Sequence, residues 1–163
     1  MVTGFGIRPV RGHEAGLLYC RYRDTALAAY AHIFPPDVSR FPDEDERRKW
    51  RDLVAAHGVT HTILVADTGS DLAGAVVAKP GTLERLFVVP GFWGTGVADA
   101  LHAAALDVSR AAGAGRCQLE VLEANRRARR FYERRGWMRD DRSRRADYSP
   151  HPLIVGYTHM LSR

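Results

Sequence analysis

Two hydrophobic periods alternate along the chain and predict an alternating order of strands and helices. Helical spacing of apolar residues predicts four helices, at Glu14 to about Phe34, Asp43 to about His57, Val97 to Ala112, and Asn125 to Gly136. Short β-branched or alternating runs predict seven strands, at Phe5–Val10, Thr60–Ala66, Leu72–Lys79, Thr82–Val89, Cys117–Leu122, Trp137 to about Asp141, and Leu153–Leu161. One mixed sheet of the α/β (α+β) class, with helices on both faces, is the simplest architecture for this order.

Proline, glycine and acidic residues mark the boundaries of the predicted elements. Pro35 and Pro36 are expected to stop the first helix, because the residue before a proline avoids the helical region. The acidic run Asp43–Glu46 opens the second helix, where negative charge suits the helix dipole. Gly58 closes that helix.

The most informative stretch runs from Leu86 to Ala98, where an apolar run meets Pro90 and then a loop with three glycines. A strand, a glycine turn and a helix form the arrangement in which free backbone N–H groups converge on an anion. A Cβ in such a loop would block the turn or the approach of the anion. The loop lacks the spacing of a Walker loop and of a full Rossmann fingerprint. Taken alone, it fits either an anion site or an ordinary tight loop.

Composition indicates a folded globular chain, with 163 residues, 45% hydrophobic and 26% charged, and predicts one domain over residues 1–163. No apolar run approaches the roughly 20 residues of a membrane span, and the N-terminal residues lack the apolar region of a signal peptide. Cys20 and Cys117 lie outside any metal-binding spacing, so both are predicted to be buried thiols in a reducing compartment. We therefore expect a cytoplasmic protein with no metal and no membrane partner.

The net charge is +5, and residues 126–145 contain ten arginines beside only Glu133, Asp140 and Asp141. Such a patch suits a nucleic acid, a phosphorylated cofactor, an acidic partner or only a solvated face. Nucleic-acid binding usually adds exposed aromatic residues between the basic ones. Phe131 and Trp137 are better explained as core residues, so no nucleic-acid partner is expected.

Two segments together resemble the GNAT superfamily of acyl-CoA-dependent N-acyltransferases. The first, Leu86–Pro90 followed by Trp93-Gly94-Thr95-Gly96-Val97-Ala98, is similar to the family motif Gln/Arg-x-x-Gly-x-Gly/Ala. The second is similar to Asn-x-x-Ala-x-x-φ-Tyr-Glu-x-x-Gly-Phe and reads Asn125-x-x-Ala128-x-x-Phe131-Tyr132-Glu133-x-x-Gly136-Trp137. The resemblance covers essentially the whole chain and is sharp over residues 82–138. One departure is Trp93, which stands where the family usually has Gln or Arg, so a side-chain contact is lost or replaced.

The resemblance implies the GNAT fold, with a mostly antiparallel sheet and a central splay between parallel strands at 82–89 and 116–121. The gap would admit the pantetheine arm of acetyl-CoA beside the backbone of Phe87 to Val89, although an ordinary buried strand is the alternative. The loop amides would hold the pyrophosphate, and Arg129 and Arg130 are candidates for the nucleotide phosphates. The implied cofactor-binding residues are Phe87, Val88, Val89, Trp93, Gly94, Thr95, Gly96, Val97, Ala98, Asn125, Ala128 and Tyr132.

Direct attack of an amine on a thioester needs a neutral amine, a polarised carbonyl and a protonated leaving thiol. By the resemblance, Tyr132 is the acid that protonates the thiol, although a helix tyrosine can also serve only to pack its ring. A backbone N–H near Val88 would polarise the carbonyl. An alkylamine with a pKa of about 10.4 is almost fully protonated at pH 7, so a base is useful.

The base is predicted among two carboxylates, Glu84 first and Glu120 second, on the two parallel strands. Each fits a surface or ion-paired carboxylate equally well. His61 and His159 titrate near neutrality when unperturbed, but a lone strand histidine is more often structural.

The expected acceptor is an amine of a small molecule or a peptide, bound between the loops at 34–43 and 141–152. Asp37 and the acidic residues after it favour a cationic amine, whereas Arg142, Arg144 and Arg145 favour an acceptor with a carboxylate or phosphate. The alternative function is a non-catalytic module that binds acyl-CoA or uses the basic patch to bind nucleic acid or protein; Tyr132 argues against it. Both a monomer and a homodimer through the last strand fit the sequence.

Overall fold

The structure, a computed structural model, describes residues 4–34 and 41–162. Within these ranges it has four α-helices, α1 (Ala15–Tyr30), α2 (Asp43–Ala55), α3 (Val97–Ala111) and α4 (Arg126–Glu133). Seven strands accompany them, β1 (Gly6–Pro9), β2 (Thr62–Asp67), β3 (Leu72–Lys79), β4 (Thr82–Val88), β5 (Arg116–Leu122), β6 (Met138–Arg145) and β7 (Leu153–Met160). The predicted order of elements is confirmed.

All seven strands join one sheet in the order β1-β2-β3-β4-β5-β7-β6, and only β4 and β5 run parallel. Helices α1 and α2 pack on one face around Trp50, and α3 and α4 pack on the other around Leu101. Strand β3 is buried on both faces because it lies under α1 and α3. The predicted α/β class, with a mixed and mostly antiparallel sheet covered on both faces, is confirmed.

The centre of the sheet opens between β4 and β5. The two strands share one backbone pair, Thr82 with Gln118, and no further pair is found between them in the described residues. Strand β5 instead pairs along its whole length with β7. Strand β4 beyond Thr82 therefore has an unpaired edge, which confirms the predicted splay.

Three predictions from local sequence need correction. Helix α1 ends at Tyr30, where the Phe34 N–H donates to the Tyr30 carbonyl and closes a turn; Pro35 and Pro36 lie outside the described residues. Strand β6 continues to Arg145, because its pairing with β7 requires no apolar residues. Cys20 is exposed rather than buried, whereas Cys117 is buried as expected. In the described part of the chain, no helix is both long and apolar enough to cross a membrane.

Candidate active site

The splay contains a cavity of about 340 Å³, which we call the splay cavity. Its walls come from α1, β4, the glycine loop, the start of α3, and α4. The predicted cofactor-binding residues that line it are Phe87, Val88, Trp93, Gly94, Gly96, Ala98, Asn125, Ala128 and Tyr132. Two segments distant in the sequence thus meet on one cavity, as the two motifs together predict.

The glycine loop presents a cluster of free amides at the start of α3. Gly94 and Gly96 have φ angles of 75° and 88°, which favour glycine, and Gly96 is the N-cap of the helix. Among the described residues, the N–H groups from Gly94 to Ala98 have no backbone acceptor. Thr95 turns its hydroxyl to the Phe92 carbonyl and the Val97 side chain is buried, so these two residues can offer only their backbones. This cradle fits a pyrophosphate.

The edge of β4 offers fewer free groups than the sequence predicted. The Val89 N–H donates to the Ala73 carbonyl and the Val89 carbonyl accepts from Phe92, so Val89 has no free backbone group. Phe87 pairs with Ala75, and its backbone points to β3 as that of Val89 does, because alternate residues face the same edge. Of the predicted run Phe87 to Val89, only Val88 directs its N–H into the gap.

The backbone carbonyl of Val88 is already hydrogen-bonded to Trp93. Its indole N–H donates to the Val88 carbonyl oxygen at 2.7 Å. The guanidinium carbon of Arg127, from α4, lies 3.5 Å from the centroid of the Trp93 ring. Arg127 also lines the splay cavity, although the sequence analysis did not select it.

Helix α4 begins at the predicted cap. The Asn125 side-chain oxygen accepts from the Ala128 N–H at 3.2 Å, which satisfies one of the free amides of the first turn. The Tyr132 ring lies in an aromatic cluster with Phe131 and Trp137. Burial raises the pKa of the Tyr132 hydroxyl, so this group is protonated at neutral pH and has a proton to donate, although it is a weaker acid than an exposed tyrosine.

A second depression of about 1310 Å³, which we call the outer cleft, adjoins the splay cavity on the α1 and α2 side of the sheet. Phe34, Phe41 and Tyr148 bring the two predicted acceptor loops to its wall, while Asp37 lies outside the described residues. The two spaces share a junction, lined by Tyr22, Ala26, Tyr30, Leu86, Asn125, Ala128 and Tyr132. A ligand in one space could therefore approach a ligand in the other beside Tyr132 and the other junction residues.

Carboxylates and cations line the outer cleft in similar numbers. The carboxylates are Asp43, Asp45, Glu46, Glu84, Glu120 and Asp147, and the cations are Arg23, Arg48, Lys49, Arg85 and Arg144. Arg85 donates to Glu46 at 2.7 Å in the floor of the cleft. Most of these charges are paired within the chain, so they compensate each other and favour neither sign in the acceptor.

Both predicted bases line the outer cleft and both carry ion pairs. Glu84 lies 2.6 Å from the Lys79 ammonium and 3.0 Å from His61 Nε2. Glu120 lies 2.8 Å from Arg144. His159 is not placed to act as the base, because its ring packs against Trp137 in the aromatic cluster.

Sequence reasoning missed two tyrosines of the junction, Tyr22 and Tyr30. They follow each other at i and i+8 with Ala26 between them, a spacing that also fits an ordinary core face of α1. The Tyr30 hydroxyl lies beside the Asn125 side chain, and burial raises its pKa. Their helical spacing was visible in the sequence, but nothing local linked α1 to α4.

Half of the arginine patch is paired within the chain. Arg129 donates to the Tyr157 hydroxyl and the Glu123 carbonyl, and it is not a free phosphate ligand. The other paired members are Arg135 with Asp99, Arg139 with Glu123, Arg142 with Asp140, and Arg144 with Glu120. The residues that the structure describes contain no cluster of His, Cys, Asp and Glu that could hold a metal ion.

Comparison with known proteins identifies a family and a related enzyme. The model of the acetyltransferase (GNAT) family matches residues 23–137. Streptothricin acetyltransferase of Streptomyces lavendulae is 32% identical over 109 residues, which are 63% of this chain and 58% of that enzyme's length. The chain thus spans less than two thirds of this relative.

Two solved structures share the fold. A GCN5-related N-acetyltransferase from Rhodopseudomonas palustris superposes with a TM-score of 0.79 at 17% identity, over 99% of this chain and 98% of that one. The PaiA N-acetyltransferase from Thermoplasma acidophilum, solved with coenzyme A, gives 0.75 at 19% identity, over 96% and 100% of the two chains.

Proposed function

The chain belongs to the acetyltransferase (GNAT) family, and from this premise we propose that it moves an acetyl group from acetyl-CoA to a primary amine of a small molecule or peptide. The observation that carries the proposal is the junction of the two cavities. Tyr132 stands there, buried and protonated, with free loop amides on one side and a large cleft on the other. A donor and an acceptor bound in the two spaces would meet beside an acid.

The splay cavity has the groups that the donor needs. The amides from Gly94 to Ala98 match the pyrophosphate, since they converge at a helix N-terminus. The open edge of β4 leaves room for an extended arm beside Leu86 and Val88. These features support acetyl-CoA as the bound donor.

When bound, acetyl-CoA supplies a thioester carbonyl that the acceptor amine attacks directly. The Val88 N–H, which faces the gap, would donate to the carbonyl oxygen as negative charge develops there. The Tyr132 hydroxyl would give its proton to the sulfur as the C–S bond breaks. The amine's proton would pass through water to Glu84 or, as second candidate, to Glu120, both of which line the cleft, and its return through solvent would restore the Tyr132 hydroxyl.

The outer cleft supports an acceptor larger than a free amino acid. Its volume exceeds the roughly 300–1,000 Å³ of common small-molecule sites. Aromatic side chains on its wall would contact an apolar part of the acceptor, while the paired charges would bind polar groups. Streptothricin is included among the acceptors to be tested, because it appears in the name of the S. lavendulae relative.

The experiment is a thiol-release assay with acetyl-CoA against polyamines, aminoglycosides, streptothricin, amino acids and short peptides. We expect turnover with at least one amine, and we expect Tyr132→Phe to lose most of it. Tyr148→Phe is the matched control, because it keeps the aromatic ring on the wall of the outer cleft and removes a hydroxyl that does not line the junction. Tight binding of acetyl-CoA without turnover on any amine would instead support the non-catalytic acyl-CoA-binding module.

A further inference from the structure

Residue 93 carries no positive charge, yet a cation occupies the space next to it. This loop residue is Trp93, at the position where the GNAT family motif has Gln or Arg. Arg127 reaches the same place from the second residue of α4. Both side chains line the splay cavity beside Gly94 and Gly96.

The two side chains are fixed to the edge of the sheet. The Trp93 indole N–H donates to the Val88 carbonyl at 2.7 Å, which orients the ring. The Arg127 guanidinium carbon lies 3.5 Å from the ring centroid, a distance at which a cation is attracted to an aromatic face. Trp93 therefore positions the guanidinium of Arg127 at the mouth of the cavity.

Arg127 is the α4 arginine that lines the splay cavity without an ion pair. Arg129 on the same helix pairs with Glu133, and Arg126 and Arg130, which have no carboxylate partner among the described residues, line neither cavity. Within residues 4–34 and 41–162, no carboxylate forms an ion pair with Arg127; the residue is exposed overall, and desolvation of its guanidinium lowers its pKa. A cation without a counter-ion beside free amides favours an anionic ligand.

We propose that Arg127 binds a phosphate group of acetyl-CoA, and that Trp93 is the positioning residue that holds the Arg127 guanidinium there. The inference rests on the proposed function, since the ligand is the donor. It means that the side-chain contact absent at residue 93 is supplied from α4. The ligand group is a phosphate, either the diphosphate or the 3′-phosphate of the nucleotide.

The first test is calorimetric titration of coenzyme A into the wild type, Arg127→Gln and Arg130→Gln. Removing a charge-assisted hydrogen bond is expected to weaken binding by about 10- to 100-fold in Arg127→Gln. Arg130, which the sequence made a phosphate candidate, lines neither cavity in the structure and is the matched control, because it lies one turn further on the same helix and is exposed as Arg127 is. Its variant should bind within about twofold of the wild type.

Two further variants test the part played by residue 93. Trp93→Arg combined with Arg127→Gln moves the charge to the loop, and it should recover most of the lost affinity. In a double-mutant cycle, the losses of coenzyme A affinity caused by Trp93→Ala and Arg127→Gln should be non-additive, because the first variant displaces the guanidinium that the second removes. Additive losses would overturn the positioning role of Trp93.

Dephospho-coenzyme A, which lacks the 3′-phosphate, distinguishes the two anions. If Arg127 binds the 3′-phosphate, the loss caused by Arg127→Gln disappears with this ligand; if it binds the diphosphate, the loss persists. Equal binding of coenzyme A by wild type, Arg127→Gln and Arg130→Gln would overturn the inference and leave the proposed function intact. Absence of binding to the wild type would instead overturn the proposed function.

Discussion

The splay cavity and the outer cleft adjoin each other but are built in different ways. The splay cavity uses mainly backbone amides and apolar side chains from two contiguous segments, 86–99 and 125–135, with α1 as a third wall. The outer cleft uses charged and aromatic side chains from α1, α2, three strands, α4 and two loops. Backbone geometry thus defines the first site, and side chains gathered from distant segments define the second.

This difference separates two kinds of recognition. A phosphate held by main-chain N–H groups tolerates many side chains, provided that the loop keeps its glycine conformations. An acceptor held by ion pairs and aromatic rings changes whenever one of those side chains changes. Substitutions should therefore affect donor binding in the first region and acceptor choice in the second.

The largest expected effect is on the donor side, in Gly96→Trp. The φ angle of 88° disfavours any side chain there, and the indole would fill the anion cradle. We expect at least a 100-fold loss of acetyl-CoA affinity by calorimetry, about the effect of losing two charge-assisted hydrogen bonds. Gly113→Trp is the control, because Gly113 has a φ angle of 76° beyond the other end of α3. Similar affinities in both variants would contradict the backbone cradle.

The next effect lies at the junction, where the two regions meet. Tyr132→Phe should lower kcat by about 100-fold, the usual contribution of a general acid, with little change in the KM for acetyl-CoA. The ring and its packing remain, so the midpoint of thermal unfolding should stay near that of the wild type. A fall of kcat in Tyr30→Phe instead of Tyr132→Phe would assign the acid to α1.

A smaller effect is expected from the carboxylates of the outer cleft. Glu84→Gln should lower kcat/KM by about tenfold, since a water-mediated base contributes less than a direct one. Glu120→Gln, which removes the partner of Arg144, should change mainly the KM of the acceptor. Full activity in both single variants and in the double variant would remove both carboxylates from the mechanism.

The smallest effect concerns stability, and it separates a group on α3 from the ion pairs of the outer cleft. Burial lowers the pKa of His102, on α3, to about 4, and neutral His102 Nε2 accepts from the Trp137 indole. The unfolded chain binds this proton near pH 6.5, so stability is complete above that pH and falls as the pH drops towards 4. Denaturant midpoints at pH 7 and pH 5 should show this loss in the wild type and less of it in His102→Gln. An equal loss in both proteins would place the acid sensitivity elsewhere, for example in the ion pairs of the outer cleft.

The fold and the donor side could be predicted because their signals are local. Alternating runs, the loop at Gly94–Gly96 and the cap at Asn125 each depend on neighbours in the sequence. The features that the sequence did not predict depend on strand pairing. The Val89 N–H is not free because it donates to the Ala73 carbonyl, and β6 extends to Arg145 because it pairs with β7. Tyr30 and Arg127 belong to the site only through contacts between α1, α4 and the loop, which no local pattern encodes.

The single backbone pair between Thr82 and Gln118 has a consequence for how the sheet opens. Strands β1–β4 and β5–β7 form two hydrogen-bonded ladders, and across the gap they share little more than this pair. They can therefore act as separate cooperative units in amide hydrogen exchange. A ligand arm lying along β4 would take the place of the missing strand pairs. Its binding should then slow exchange in both ladders together, so that the donor completes the sheet as well as supplying the acetyl group.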